Sequence, residues 1–200
     1  MPTSSTIEMF KNQDLRTGGF FELCIQVSES SKNDIVQKYF DFFWNQPNVE
    51  GPFDNDLKPI NKIIDYRLEG ILNIENVKIP FINFNIKEEN PIETGSYWFD
   101  ISFYITTIEK LFQIEPQNWD EKSNCPKELL EYLLQLMKKL YEIHPFKLAL
   151  LDFEISGEYR IEDLKNLDFV NWSNSILYIG KENLDKVNEE NLKYVKILNE

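Results

Sequence analysis

The chain has 200 residues, of which 42% are hydrophobic and 14% aromatic, and its formal net charge is −13. This composition excludes an intrinsically disordered chain, which would have few aromatic residues and little apolar surface to bury, and it predicts one folded domain over residues 1–200. The excess of carboxylates repels a phosphate backbone and the sequence has no basic patch, so nucleic-acid binding is not expected.

The cysteines and the N-terminal residues indicate the cellular compartment in which the protein is expected. Cys24 and Cys125 occur without a Cys-x-x-Cys motif, so a secreted disulfide fold is not expected and a reducing compartment is favoured. Residues 1–13 are polar, unlike a signal peptide, and no apolar run reaches the roughly 20 residues of a membrane helix. We expect a cytoplasmic protein without a membrane contact, with 1–18 as a candidate flexible segment and 180–200 as a peripheral C-terminal segment.

The first quarter of the chain predicts a strand followed by a helix. Residues 20–27 alternate between apolar and polar side chains, which is typical of a strand buried on one face. Ser31 stands three residues before Asp34, a pattern that favours a helix N-cap, and the helix is expected to run to about Gln46. A loop rich in Gly, Pro and Asp is expected over residues 49–59.

Three alternating runs follow, at 64–72, 77–86 and 97–105, and they predict an antiparallel meander. In the middle run the alternation places Ile82, Phe84 and Ile86 towards the core. The third run is the most regular, with apolar side chains at every second position. A short helix over 107–112 is expected directly after it.

The second half predicts one long amphipathic helix and further strands. Leucine and methionine recur at helical spacing after Pro126, which suits the first position of a helix. Residues 146–155 are almost continuously apolar, as expected of a central strand, and 175–179 predict a last strand. Short helices are expected over 160–167 and within 182–198. The predicted fold is α+β, with an antiparallel sheet of five to six strands and helices packed mainly on one face.

The sequence offers few groups for catalysis. His144 is the one histidine, and its place at a predicted helix end is explained by a favourable contact with the helix dipole. Phosphate-binding and dinucleotide motifs are absent, so no cofactor is expected. Asp54-Asn55-Asp56 resembles the start of a calcium loop but has Pro59 where such a loop needs glycine. No metal site is therefore predicted.

Carboxylate pairs leave a hydrolase open as an alternative. Glu69 and Glu75 flank the first predicted hairpin, and Asp152 and Glu154 lie on the same side of the predicted central strand. Paired carboxylates can act as general acid and base when burial separates their pKa values. The other interpretation of Asp152 and Glu154 is that the strand becomes exposed to solvent at its carboxyl end, and we favour it.

Aromatic residues beside acidic ones suggest a protein-binding surface. The four tryptophans, including Trp44 and Trp172, fall mostly at predicted element ends or in loops, and aromatic anchors are typical of interface hot spots. The alternative, which we favour for any single one of them, is that these tryptophans lie over an aromatic-rich core. The candidate partner-binding residues are Asp54, Asp56, Glu93, Trp98, Trp119, Asp120 and Glu121.

Residues 96–112, SYWFDISFYITTIEKLF, resemble the central segment of small bacterial immunity proteins encoded beside polymorphic or contact-dependent toxins. The stretches IHPFKLALLDFEISGE and ILYIGKENLDKV are similar to those families as well. The resemblance implies a cytoplasmic protein that neutralises a toxin by covering its active site. An acidic chain would bind a basic toxin domain quickly. A structural or regulatory subunit that forms a homo-oligomer is the alternative of another class.

Overall fold

The fold is described from a computed structural model of the 200-residue chain. The structure describes residues 8, 10–29, 33–88, 95–116, 118, 124–155, 159–165 and 176–198. Within these residues the chain folds as α+β, with one mixed sheet of eight strands.

The sheet has the strand order β2-β3-β4-β5-β1-β6-β7-β8. Its strands are β1 (Phe20–Glu29), β2 (Val49–Phe53), β3 (Leu68–Ile74), β4 (Val77–Lys87), β5 (Ser96–Tyr104), β6 (Leu148–Phe153), β7 (Ile176–Ile179) and β8 (Val195–Ile197). Neighbouring strands are antiparallel except β7 and β8, which are parallel. The predicted meander is confirmed as β3-β4-β5, and β1 and β6 lie side by side at the centre.

Three α-helices have described bounds, residues 8, 10 and 11 are helical as well, and several 3-10 segments complete the described chain. The α-helices are α1 (Asn33–Trp44), α2 (Ile105–Phe112) and α3 (Lys127–Ile143). The 3-10 segments are Gln13–Leu15, Ile161–Lys165, Lys181–Lys186 and Glu189–Tyr194. His144 is the C-cap residue of α3, as its position in the sequence predicts.

One face of the sheet packs against the three α-helices and forms the main core. Apolar residues at alternate positions of β1 and β5 share this cluster with the leucine and methionine stripe of α3. Aromatic rings fill its centre, where Phe81 lies 5.1 Å from Phe43 and 5.2 Å from Trp44 between ring centroids. Edge-to-face and tilted pairs of this kind account for the high aromatic content of the chain.

The opposite face is covered by distant parts of the chain. At the β2-β3 side Phe10 is buried with Phe53, Leu57 and Ile71, so part of the segment suggested to be flexible is packed. At the β6-β7-β8 side the 3-10 segments after residues 160 and 180 bury a second apolar cluster. Both faces of β1 are therefore buried, because segments remote in sequence cover the side predicted to be exposed.

Several sequence-based predictions need correction. The sheet has eight strands rather than five or six, and it is mixed because β8 runs parallel to β7. Helical segments lie on both faces, since 3-10 segments cover the face opposite the α-helices. The loop predicted over 49–59 contains β2. On β4 the residues that face the α-helices include Ile79 and Phe81, and Phe84 is 42% exposed on the other face.

Among the described residues, no helix is both long enough and apolar enough to cross a membrane.

Candidate functional site

Trp98, one of the candidate partner-binding residues, is a core residue. Its side chain is 1% exposed and packs with Cys24 and Leu148 on the second face of the sheet. Its indole nitrogen donates to Glu88 at 3.1 Å. Trp44 is likewise buried. A surface position is therefore wrong for both, and the alternative that they belong to the core holds. Trp98 lies on a covered face of the sheet, and Trp44 packs from α1 against β4, where it donates to Asn83.

Asp54 and Asp56 lie in the turn that follows β2. Oδ1 of Asp54 accepts the backbone N–H groups of Asp56 and Lys58, both at 2.9 Å, so this carboxylate organises the turn. Asp56 is exposed, and its charge is shared with Lys11 at 3.4 Å and Lys58 at 3.8 Å. Both carboxylates thus have local roles that explain their presence.

The other four candidate residues are Glu93, Trp119, Asp120 and Glu121, and they lie outside the described residues. Trp172 does so too. In sequence, Trp119, Asp120 and Glu121 fall between Pro116 and Asn124, and the described residues on both sides of this stretch line one surface groove.

This groove, called here the α2–α3 groove, is the candidate functional site. It has a volume of about 400 Å³ and lies between the β3-β4 hairpin, the end of α2 and the start of α3. Its described lining residues are Ile74, Glu75, Val77, Phe112, Ile114, Pro126 and Glu128. The apolar residues are buried or half-buried, and the two carboxylates stand among them. A site of this size and composition suits side chains of a partner.

The β3-β4 hairpin holds one rim of the groove in a defined position. Glu75 and Asn76 form its two-residue loop between the paired residues Ile74 and Val77. Their φ angles are 46° and 75°, the left-handed values that a tight turn of this length demands. Asn tolerates this region and Glu does not favour it, so the hairpin places a strained Glu75 at the rim.

The helices form the opposite rim. α2 ends at Phe112, and its C-cap residue Gln113 has a left-handed φ of 54° with its N–H bonded to the Glu109 carbonyl. This turn directs Ile114 into the groove. On the other side α3 begins after Pro126, and Glu128 lies in its first turn, where a carboxylate is favoured by the helix dipole.

The charge around the groove is negative. A second depression of about 360 Å³ shares Ile114 with it and is lined in part by Glu109, Lys110 and Glu115. Together the described linings carry four carboxylates and one ammonium group. No ion-pair partner of Glu75 or Glu128 is found in the described part of the chain. The lysines next to them in sequence pair elsewhere, Lys78 with Glu50 at 2.9 Å and Lys127 with Glu131 at 3.5 Å.

A second group of acids lies buried at the centre of the sheet. Glu22 of β1 stands opposite Asp152 of β6, and Asp100 lies on the neighbouring strand β5, with all three side chains at most 5% exposed. Ser102 donates to Asp100 or Glu22, with oxygen separations of 2.5 and 3.1 Å. Of these three acids, only Asp152 was a candidate from the sequence, because the pairing of residues across neighbouring strands is not visible in one sequence.

These acids act as acceptors that hold the second face together. Glu22 accepts the N–H of Ile155 at 2.9 Å and so fastens the chain after β6 to β1. The favoured interpretation that this side of β6 is exposed to solvent is wrong for Asp152, which is buried. It holds for Glu154, which is exposed and accepts the N–H of Phe20 at 2.9 Å. Among the described residues no group of three or more His, Cys, Asp or Glu side chains is arranged to hold a metal ion.

No family model matches the sequence of this chain, and no curated protein and no solved structure is significantly similar to it.

Proposed function

We propose that this protein binds a basic protein partner and acts as an immunity protein that neutralises a bacterial toxin in the cytoplasm. The observation that carries the proposal is the α2–α3 groove, an apolar surface whose carboxylates Glu75 and Glu128 have no ion-pair partner among the described residues. Apolar contact area supplies affinity, while unpaired charge at the rim supplies orientation and specificity.

The charge of the whole chain favours the same partner. A net charge of −13 raises the rate at which a cationic protein meets this surface. The resemblance of residues 96–112 to immunity proteins supplies the class of partner, and the groove lies against α2, which begins at residue 105 within that stretch.

The test is co-expression with the product of the neighbouring upstream gene. We expect the wild-type chain to relieve growth inhibition by that product and to form a complex with it. Calorimetry should show affinity falling at least about tenfold between about 50 and 500 mM NaCl, because salt screens attraction between exposed charges. No growth rescue by the wild type would refute the proposal.

A pair of matched double variants locates the surface. Glu75→Gln with Glu128→Gln removes two negative charges from the groove, and Asp185→Asn with Glu189→Gln removes two from exposed positions of the C-terminal segment. We expect rescue to be lost or weakened in the first variant and retained in the second. Equal effects would show that only the total charge matters and that the groove is not the binding surface.

A further inference from the structure

The α2–α3 groove also indicates which side chain of a partner it takes. Its two carboxylates stand on separate elements, Glu75 on the β3-β4 hairpin and Glu128 on the first turn of α3. Phe112 at the end of α2 lines the same space with its half-buried ring. A cationic, planar group that can donate several hydrogen bonds is the chemistry that suits all three.

We propose that the groove recognises an arginine side chain flanked by apolar residues, an inference that rests on the proposed function and specifies its contact. A guanidinium group carries five N–H donors in one plane, so it can stack on an aromatic ring and still donate to two carboxylates. A lysine ammonium is a compact point charge that is strongly hydrated, and it gains less from a ring and from two spaced acceptors.

The volume and the apolar lining of the groove indicate which residues flank that arginine in the partner. About 400 Å³ is more than one side chain fills, and Ile74, Val77 and Ile114 provide apolar surface beside the carboxylates. The recognised element is therefore an arginine with an aliphatic residue on either side.

The carboxylates are available for this role because the lysines close to them in sequence are engaged with other acids. Lys78, three residues after Glu75, pairs with Glu50, and Lys127, next to Glu128, pairs with Glu131. The rim is also held in place before binding, since Glu75 belongs to a two-residue turn and Gln113 caps α2. A rim that is already ordered loses little conformational entropy when a ligand arrives.

Three blocked tripeptides test the inference on the full chain without knowledge of the partner. They are N-acetyl, C-amide Leu-Arg-Leu, Leu-Lys-Leu and Leu-citrulline-Leu, in which citrulline keeps the shape of arginine without its charge. Binding is measured from methyl NMR shifts of Ile74, Val77 and Ile114. We expect a millimolar dissociation constant for the arginine peptide, about threefold weaker binding of the lysine peptide and about tenfold weaker binding of the citrulline peptide.

Variants of the chain separate the contributions of the two carboxylates and of the Phe112 ring to peptide binding. Glu75→Gln and Glu128→Gln should each weaken the arginine peptide about threefold or more, whereas Asp185→Asn should leave it unchanged. Phe112→Leu keeps an apolar side chain but removes the ring, so it should reduce the difference between the arginine and lysine peptides, and the part that remains is due to the two carboxylates. Equal binding of arginine and lysine by the wild type, or absence of shifts at the three methyl-bearing residues, would overturn the inference.

The inference and the proposed function can fail separately. A salt-sensitive complex with a basic partner that is unaffected by Phe112→Leu and by the groove carboxylate variants would leave the function standing and refute the arginine site. Peptide binding with the expected preference, together with absence of growth rescue, would support the site and refute the immunity function.

Discussion

The indole nitrogen of Trp44 lies 3.0 Å from Oδ1 of Asn83, and this hydrogen bond joins the end of α1 to β4 inside the core. The amide nitrogen of Asn83 donates in turn to the carbonyl of Asp100 at 2.7 Å. One buried asparagine therefore satisfies polar groups from a helix and from a neighbouring strand. A buried polar side chain stabilises the fold only while all of its partners are present.

Asn83→Ala is expected to lower the free energy of unfolding by about 2–4 kcal/mol, because it leaves a cavity and two unsatisfied buried groups. Asn85→Ala is the matched control two residues along the same strand. Asn85 donates to Ile64, and its Oδ1 accepts no hydrogen bond from the described residues. We expect a loss of about 1–2 kcal/mol there. Urea denaturation measures both, and equal losses would contradict the role assigned to Asn83.

The ion pair between Arg16 and Glu69 should stabilise the packing of the N-terminal segment on β3. Its closest contact is 2.6 Å and both side chains are 15% exposed, while the guanidinium also lies 4.8 Å from the Phe10 ring centroid. A double-mutant cycle of Arg16→Met and Glu69→Gln should give a coupling energy of about 1 kcal/mol. The exposed pair Lys127 and Glu131, treated in the same way, should give less than about 0.5 kcal/mol. A coupling near zero for Arg16 and Glu69 would exclude this contribution.

Glu75 should affect stability and binding in opposite directions. Glu75→Asn places a residue that tolerates left-handed φ in the β3-β4 turn, so thermal unfolding should show a gain of about 0.5–1 kcal/mol. The same change shortens the side chain and removes its charge, so affinity for the arginine peptide should fall. Asn76→Ala is expected to cost about 1 kcal/mol, since alanine is strained at φ 75°. A destabilised Glu75→Asn variant would contradict the strain argument.

Alkaline pH should destabilise the fold through its buried tyrosines. Burial raises the pKa of Tyr39, whose hydroxyl donates to the His144 carbonyl, and Tyr141 adds to the shift. The unfolded chain loses this proton near pH 10 while the folded chain keeps it. The stabilising contribution is thus complete below about pH 10 and is lost as pH rises above it.

Urea denaturation from pH 8 to 12 measures this effect. Above about pH 10 the free energy of unfolding of the wild type should fall with pH, and Tyr39 should contribute about 1.4 kcal/mol per pH unit to this fall, the value for one proton. Tyr39→Phe should remove that contribution. The same substitution at the exposed Tyr66 controls, at neutral pH, for the loss of a tyrosine hydroxyl group. Identical slopes in wild type and Tyr39→Phe would mean that Tyr39 titrates alike in both states.

Local patterns predicted much of the fold. Alternation in 97–105 identified β5 with its inward side chains, and the leucine stripe after Pro126 identified α3 with its buried face. These predictions succeed because alternation and helical periodicity are set by the geometry of one element. β2 was missed because Gly51 and Pro52 lie within it, and such residues are typical of loops.

The candidate site was predictable only in part. Glu75 was noted as one of two acids flanking the first hairpin, whereas Glu128 was not singled out. The groove itself combines residues 74–77, 112–114 and 126–128, and no local pattern links these three stretches. Trp98 was wrongly predicted to lie on the surface, because its side of β5 carries polar residues. That side is covered by distant segments, so Trp98 is buried there.

The sequence by itself determined the α+β class, the central meander, the long helix and an acidic chain with a substantial aromatic core. Only the tertiary structure decided which polar sides of the strands are buried and where an apolar groove meets acids without ion-pair partners. The physical reason is that periodicity is a local property, whereas burial depends on segments far apart in the chain, as when the N–H of Ile155 binds Glu22.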